Sequence, residues 1–245
     1  MITVVLPAYN EEESIIPLIE SIQKTAKKRW LEKVTIIIVD DGSVDKTAEK
    51  IAALHDETVV LVEHEVNKGL GEAIKTGLFH AVNFSPEVDI VITMDSDNTH
   101  PPGLITNMIM KLDEGNDVVV ASRYRSGART IGVQKYRQFL SFGMSILFQI
   151  LLPVAGVRDY SSGFRAYRAN LLREAFEKWG DDFVSEPGFS CMVDILLKLN
   201  RLDAIANEVP LILRYDQKSG KSKMNVVKTV KDTLALAFRE RFRKN

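Results

Sequence analysis

Residues 34–41 read VTIIIVDD, an apolar run that ends abruptly in two carboxylates. The run is rich in Val and Ile and does not alternate between apolar and polar residues, which is typical of a strand buried on both faces of a parallel sheet. Four similar runs lie before residue 123: ITVVLP at 2–7, TVVLVEH at 58–64, DIVITMD at 89–95 and DVVVAS at 117–122. Between the runs lie the helical patterns ESIIPLIESIQKTAKK, KTAEKIAALH, GEAIKTGLFHAV and PGLITNMIMKLDEG. This alternation predicts right-handed βαβ units and an open, mostly parallel α/β sheet flanked by helices.

The pattern changes after residue 122. An uncharged stretch covers 138–157, a helical pattern covers 187–201 (PGFSCMVDILLKLNR), and EVPLILRY at 208–215 predicts one strand. A basic loop and a basic amphipathic helix end the sequence. We therefore expect a single domain over 1–245, in which 1–122 forms the sheet half and 123–245 completes and covers a site.

The composition excludes several classes of protein. Apolar residues make up 45% and charged residues 27% of the 245 residues, as in ordinary globular proteins. Lys and Arg number 32 against 33 acidic residues, so no nucleic-acid partner is expected, although the segment from Arg214 onward has ten basic and three acidic residues. The single cysteine, Cys191, excludes an internal disulfide framework and fits a reducing cytosol. The first residues, MITVVLPAYNEEE, lack the basic start of a signal peptide.

The chemistry is expected at the carboxyl ends of the strands, where open α/β sheets bind their ligands. Acidic residues follow three of the first four predicted strands, in LPAYNEEES, VDDGSVDKT and DSDNTHPP. Acids at this edge suit a divalent cation that holds an anion, or contacts with ribose hydroxyls and base N–H groups. A nicotinamide-binding domain is excluded, because its first turn must be Gly-rich and Pro7 to Glu11 contains no glycine.

Asp95 and Asp97 are the sharpest candidates at this edge. Alternate residues of an extended segment point to the same side, so the two carboxylates project together. They indicate either a solvated turn before a helix or a Mg²⁺ or Mn²⁺ site that holds phosphate oxygens.

Taken together, these motifs resemble the family 2 glycosyltransferases, which have the GT-A (Rossmann-like) fold. The matching stretches are LPAYNEEES, IIIVDDGSVDKT, NKGLGEAI, MDSDNTHPP and VVVASRYRSG. In the second half, RDYSSGFRAYR, PGFSCMVDILLKL, EVPLILRY and SGKSKM are similar to the polyprenyl-phosphate branch of the family, which includes the dolichol-phosphate mannose synthases.

The resemblance implies roles for the residues that follow the strands. Asp97 would bind Mg²⁺ or Mn²⁺ directly, Asp95 would lie nearer the ribose, and Asp40 would support its turn. Thr99 stands where the mannose synthases often have Gln, so its contact with the metal is an open question. The resemblance assigns nucleotide-sugar binding to Pro7, Tyr9, Glu11, Val39, Asp41, Asp95, Ser96 and Lys223.

The second half has many cations and implies an anionic acceptor. The resemblance assigns catalytic roles to Asp97, Arg123, Arg137 and Asp159. Arg123 would reach a phosphate, Arg137 and Lys223 would hold the acceptor phosphate, and Asp159 would lie close to the reacting centre. The family acid Asp194 is more typical of a structural position. The remaining candidate cations are Arg125, Arg129, Arg165, Lys218 and Lys221.

The function that the resemblance implies is the inverting, metal-dependent transfer of a hexose from GDP-mannose or a UDP-sugar to a polyprenyl phosphate. The 138–157 stretch is then either a core helix or an interfacial helix, and the basic C-terminal helix would attract anionic headgroups. We expect a cytoplasmic protein, peripheral on the membrane face, and a membrane-anchored partner protein is compatible with this location. Gln217 and Lys218 stand where the mannose synthases commonly have Arg, which leaves the sugar open. The alternatives are a glycan or protein acceptor, or a catalytically silent partner subunit.

Overall fold

A seven-stranded sheet with the order β3-β2-β1-β4-β7-β5-β8 forms the centre of the protein. The structure, a computed structural model, describes residues 1–28, 34–218 and 234–241. All neighbouring strands are parallel except β7, which runs antiparallel to both β4 and β5. The strands are β1 Ile2–Ala8, β2 Val34–Asp40, β3 Val59–Glu63, β4 Ile90–Thr93, β5 Val118–Ser122, β7 Arg165–Arg168 and β8 Ala206–Pro210, while β6 Arg129–Ile131 and β9 Ile212–Arg214 form a separate two-stranded sheet.

Helices cover both faces of the sheet and create two apolar cores. Successive strand residues face opposite sides, so Val5 of β1 packs into one core, whereas Val4 and Leu6 pack into the other. Helices α3, α6 and α7 supply the first core, and α1 and α4 supply most of the second. The helices are α1 Ile15–Lys28, α2 Thr47–Ala52, α3 Leu70–Phe84, α4 Ile105–Asp113, α5 Lys135–Leu151, α6 Ala169–Trp179 and α7 Ser190–Asn200.

The predicted fold class is confirmed, with differences in the second half. Strand β7 and helix α6 were not predicted, and β7 inserts between β4 and β5, so the two halves share one sheet. The single strand predicted at 208–215 is wrong: β8 pairs with β5, whereas β9 leaves the main sheet and pairs with β6. The chain changes sheets at Leu211, whose N–H still donates to Ser122 while its carbonyl accepts from Arg129.

Helix α5 covers most of the uncharged stretch, and it is not a core helix. Only Ser145 and Phe148 of its 17 residues are buried. Among the described residues, no helix is long and apolar enough to cross a membrane. Residues 234–241 are helical and bury Leu236 and Ala237, but the remainder of the predicted basic helix lies outside the described residues.

Gly77 of α3 provides a test of how closely this helix packs on the sheet. A Cβ added there would lie 2.3 Å from Cγ1 of Val5, in the buried centre of β1. We expect Gly77→Ala to lower the free energy of unfolding by about 1–3 kcal/mol, because the core must shift to admit a methyl group. Gly143→Ala is the matched control, because a Cβ added at Gly143 on the exposed helix α5 meets no neighbouring atom within 4 Å. This substitution should raise the free energy of unfolding by up to about 1 kcal/mol, since Ala favours a helix over Gly. Urea titration of both variants measures the difference, and equal changes would contradict the packing.

Candidate active site

The carboxyl edge of β1 and β4 brings the predicted acidic residues together. Asp95 and Asp97 follow β4 by two and four residues, and Ser96 between them donates a 2.7 Å hydrogen bond to the carbonyl of Pro7 in β1. This bond ties the acidic turn to the first strand. The hydroxyl of Ser96 therefore donates within the protein and Ser96 is 4% exposed, so its contact with a nucleotide stays a prediction.

Asp97 is held by three donors. Its Oδ1 accepts hydrogen bonds from the N–H of Thr99 at 3.1 Å and from the Thr99 hydroxyl at 2.6 Å. Its Oδ2 accepts a hydrogen bond from the ammonium group of Lys218. Burial raises the pKa of Asp97, but attraction to Lys218 outweighs this effect, so the pKa lies below its usual value. Asp97 is thus an ionised carboxylate, and Thr99 orients it.

Asp95 differs from Asp97 because, in the described part of the chain, neither of its carboxylate oxygens accepts a hydrogen bond. Its backbone N–H donates to Nδ1 of His100 at 3.1 Å, and Nε2 of the same ring lies 3.9 Å from Oδ2. Burial raises the pKa of Asp95, and the charge of Asp97 adds to the rise. The Asp95 side chain is 32% exposed, so a ligand can reach it.

The two carboxylates fit a divalent cation that takes its other ligands from a phosphate. Among the described residues, no three His, Cys, Asp or Glu side chains could hold a metal ion by themselves. Mg²⁺ typically takes only one or two protein carboxylates and completes its shell with water and phosphate oxygens. The Lys218 ammonium on Asp97 shows that this position attracts a cation. Gly163 leaves room for a ligand beside Asp95, since a Cβ at Gly163 would lie 2.9 Å from Oδ1 of Asp95.

Arg123 and Asp159 form a bidentate ion pair at the end of β5. Nη2 of Arg123 donates to Oδ1 at 2.6 Å and Nε donates to Oδ2 at 2.8 Å, while the backbone N–H of Arg123 also donates to Oδ2. The expected catalytic role of Asp159 needs correction, because its carboxylate is fully buried and acts on Arg123 rather than on a substrate. Arg123 keeps a 24% exposed side chain. Burial lowers the pKa of Arg123, but the charge of Asp159 outweighs it, and the charge of Asp95 adds to the rise.

Arg137 lies on the first turn of α5, beside the 3-10 turn Tyr215–Gln217. Its Nε donates to the Tyr136 hydroxyl at 3.3 Å, and its guanidinium also interacts with Tyr215. The ammonium of Lys218 lies 5.5 Å from the Tyr215 ring centroid, so Arg137 and the Asp97 pair are linked through one aromatic ring. Lys221 and Lys223, with the rest of the basic loop, lie outside the described residues.

The predicted nucleotide wall is only partly at the surface. Pro7, Tyr9 and Glu11 are half-buried at the end of β1, and their contact with a nucleotide stays a prediction. Val39 is a correction: it is fully buried, and its Cγ2 lies 3.2 Å from the Cβ position of Gly77, so its side chain cannot reach a nucleotide.

The carboxylate of Asp41 accepts three hydrogen bonds within the protein, which its motif does not indicate. Its oxygens accept from Nδ1 of His64 at 2.7 Å and from the N–H groups of Lys68 and Gly69 at 2.9 and 2.8 Å. It therefore anchors the turn before α3, and its contact with a base or ribose stays a prediction. Asp40 accepts hydrogen bonds from Ser43 and supports its own turn, as expected.

His64 and His100 were not among the predicted site residues, because neither has ligand spacing to another histidine. His100 is close to Asp97 in DSDNTHPP, but no local pattern shows that its ring folds back onto Asp95. Arg165, a candidate cation, is fully buried and donates to the carbonyls of Tyr160, Ser162 and Met192, so it is a structural residue. Asp194 is buried and paired with Lys198 on α7.

The strand order and the acidic edge define an α/β protein with the GT-A glycosyltransferase fold. Residues 3–176 match glycosyl transferase family 2, and the chain belongs to that family.

Two relatives and one solved structure illustrate the similarity. The chain is 31% identical over 199 residues to a dolichol-phosphate mannosyltransferase of Pyrococcus furiosus. The matched region covers 80% of this chain but only 52% of the relative, so the chain spans about half the length of that relative. It is 29% identical to an uncharacterized protein of Methanocaldococcus jannaschii, over 98% of this chain and 93% of that protein. The solved structure is glucosyl-3-phosphoglycerate synthase of Mycobacterium tuberculosis in complex with Mn²⁺, UDP and glucosyl-3-phosphoglycerate. It superimposes on this chain with a TM-score of 0.63 at 22% identity, over 98% of this chain and 79% of its own chain. This similarity supports the fold.

Asp159→Asn tests the buried ion pair. The substitution leaves Arg123 without its counter-charge, and we expect it to lower the free energy of unfolding by about 3–5 kcal/mol at neutral pH. The matched control is Asp113→Asn, whose exposed pair with Arg168 should contribute less than about 1 kcal/mol.

We also expect the loss of unfolding free energy in Asp159→Asn to depend on pH. Burial raises the pKa of Asp159, but Arg123 outweighs it, so the native pKa lies below its usual value. The ionised form therefore stabilises the native protein above about pH 4, and this contribution is lost as the pH falls towards the native pKa. The difference in unfolding free energy between wild type and Asp159→Asn should narrow below about pH 4; a constant difference in denaturant titrations there would contradict the pair.

Proposed function

We propose that the protein is an inverting, metal-dependent glycosyltransferase that moves a hexose from a nucleotide-diphosphate sugar to a polyprenyl phosphate. Membership of glycosyl transferase family 2 carries the reaction class. The finer assignment is supported by the similarity to a dolichol-phosphate mannosyltransferase over 80% of the chain. GDP-mannose and the UDP-sugars are both candidate donors.

The acidic turn after β4 is proposed to bind the diphosphate of the donor. Asp97 and Asp95 would hold Mg²⁺ or Mn²⁺, and the solved neighbour that contains Mn²⁺ and UDP supports this choice. The bound ion supplies positive charge to the leaving diphosphate. Arg123, held in place by Asp159, adds a fixed guanidinium beside Asp95, where negative charge develops during transfer.

A phosphate acceptor suits the cations around this site. A polyprenyl phosphate is already ionised near neutral pH, so its oxygen can attack without a strong general base, unlike a sugar hydroxyl. This fits the burial of Asp159 and the availability of Arg137, which we propose holds the acceptor phosphate at the start of α5. Positioning by cations then takes the place of proton removal.

The exposed apolar face of α5 is the observation that carries the acceptor class. Phe139, Phe142, Ile146 and Ile150 recur every three or four residues and therefore share one face, with exposures of 77%, 49%, 41% and 71%. The 17-residue helix is about 25 Å long and contains no charged residue beyond Arg137. We propose that this face lies in the membrane interface on the cytoplasmic side, so that the prenyl chain of the acceptor runs alongside it. A glycan or protein acceptor would instead suit a buried 138–157 stretch, whereas α5 is mostly exposed.

Transfer by two Asp variants tests the site. Asp97→Asn should lower the transfer rate by about 100-fold or more, because the cation loses its main carboxylate. The unfolding free energy should fall by about 1–3 kcal/mol, because Lys218 loses the counter-charge of a partly buried pair while relief of the repulsion from Asp95 offsets part of the loss. Asp95→Asn should weaken nucleotide binding with a smaller loss of metal dependence. Turnover of GDP- and UDP-sugars with a short polyprenyl phosphate across a Mn²⁺ titration distinguishes them.

The control for these variants is Asp181→Asn, at an exposed acid on the turn after α6, which should leave turnover unchanged. Full metal-dependent turnover in Asp97→Asn would show that the acidic pair is a structural turn. A wild type that hydrolyses no nucleotide sugar with either metal would favour a silent subunit.

A double variant, Phe139→Ser with Ile150→Ser, tests the membrane face. It should lower binding to vesicles of mixed neutral and anionic lipid at least about tenfold, because burying each such side chain contributes about 1.5–3 kcal/mol. Phe84→Ser, at a 48% exposed phenylalanine at the end of α3, is the control. Nucleotide binding should not change in either variant. Wild-type protein that does not sediment with vesicles would contradict the assignment and favour a partner protein on this face.

A further inference from the structure

Three of the roughly four acceptor positions of the Asp97 carboxylate are occupied by donors of the described residues. Oδ1 receives both the N–H and the hydroxyl of Thr99, and Oδ2 receives the ammonium of Lys218. The Asp97 and Lys218 side chains are only 11% and 14% exposed, so water screens this pair little. The charge of Glu11 also acts on Lys218, which places the ammonium between two segments of the acidic edge.

The backbone, and not only the flexible side chain, places Lys218 at this position. The N–H of Arg214 donates to the carbonyl of Thr99 at 2.9 Å, so strand β9 is joined directly to the turn that contains Asp97. The following turn is held by the ion pair between Arg214 and Asp216, at 2.9 Å. Gly132 closes it from the other side, because a Cβ there would lie 2.8 Å from the Asp216 nitrogen and its φ is +83°.

An ammonium ion and a divalent cation compete for Oδ2 of Asp97. Both are positive, and in a partly buried site their repulsion at a few ångströms is several times stronger than in bulk water. A metal ion that binds Asp97 must therefore first displace Lys218. Without a nucleotide, the displaced ammonium must turn to Glu11 or to water, whereas a bound diphosphate offers it an anion next to the metal.

We propose that Lys218 competes with the divalent cation for Asp97, and that the donor diphosphate relieves this competition by accepting the displaced ammonium. The inference rests on the proposed function and extends it, because it makes metal and nucleotide binding cooperative. Each ligand then raises the affinity for the other by the same factor, as thermodynamic linkage requires. Lys218 is in this way a positioning residue that keeps the metal site closed until the nucleotide arrives.

Mn²⁺ binding by the full chain tests this proposal without any measurement of turnover. Free Mn²⁺ is followed by its electron paramagnetic resonance signal, with wild type and Lys218→Met, each alone and with UDP or GDP. The methionine keeps an unbranched apolar side chain without the charge. Without nucleotide, Lys218→Met should bind Mn²⁺ roughly tenfold more tightly than wild type. The enhancement of Mn²⁺ binding by nucleotide should shrink in the variant, but not vanish, because the phosphates remain ligands.

Lys178→Met is the matched control. Lys178 also lies over an aromatic ring, at 5.0 Å from the Trp179 centroid, but on α6 and away from the acidic turn. It should bind Mn²⁺ as wild type does. Unchanged Mn²⁺ affinity in Lys218→Met, with nucleotide-dependent binding intact in both proteins, would overturn the competition while leaving the proposed function standing. Loss of Mn²⁺ binding in both proteins, even with nucleotide, would instead contradict metal-dependent transfer, and this inference with it.

Discussion

The buried ion pair between Arg123 and Asp159 is the interaction on which the carboxyl edge of the sheet depends. It joins the end of β5 to the loop that leads into β7. Behind it, one carboxylate oxygen of Glu208 accepts the N–H groups of Arg158 and Asp159, both at 2.7 Å, and so connects the loop to β8. An unpaired charge at this depth would cost several kcal/mol. The pair therefore depends on β5, β7 and β8, which come from both halves of the chain. Once formed, it holds the guanidinium of Arg123 at the carboxyl edge of the sheet.

Charge balance explains why one carboxylate of this edge is available and the others are not. Asp159 is neutralised by Arg123, and Asp41 accepts hydrogen bonds from two backbone N–H groups and from His64. Asp97 is matched by Lys218 and Thr99. Asp95 remains half-exposed and accepts no hydrogen bond within the described residues. Burial without a partner is unfavourable for an ionised carboxylate, which is why its pKa rises and why a cation with phosphate oxygens is the ligand that suits it.

The two halves of the chain make different contributions to the site. The first half supplies buried parallel strands, whose ends hold acidic residues in fixed positions. The second half completes the same sheet through β7 and β8, and then departs from it in α5 and in the β6–β9 pair, which lie beside the acidic turn. The sheet thus carries the acidic residues at its carboxyl edge, while the peripheral elements carry an exposed apolar face on α5 and the cations Arg137 and Lys218.

The sequence by itself determined the five parallel strands of the first half, because burial on both faces requires continuous apolar residues that are visible locally. It also determined the acidic turn, since Asp95 and Asp97 share a side in any extended segment. It could not indicate β7, whose Arg165 would be excluded from a core by its charge and is tolerated only because three carbonyls from distant segments receive it. The pairing of Lys218 with Asp97, 121 residues apart, was likewise decided by the tertiary structure, because only the packing of β9 against the turn brings those charges together.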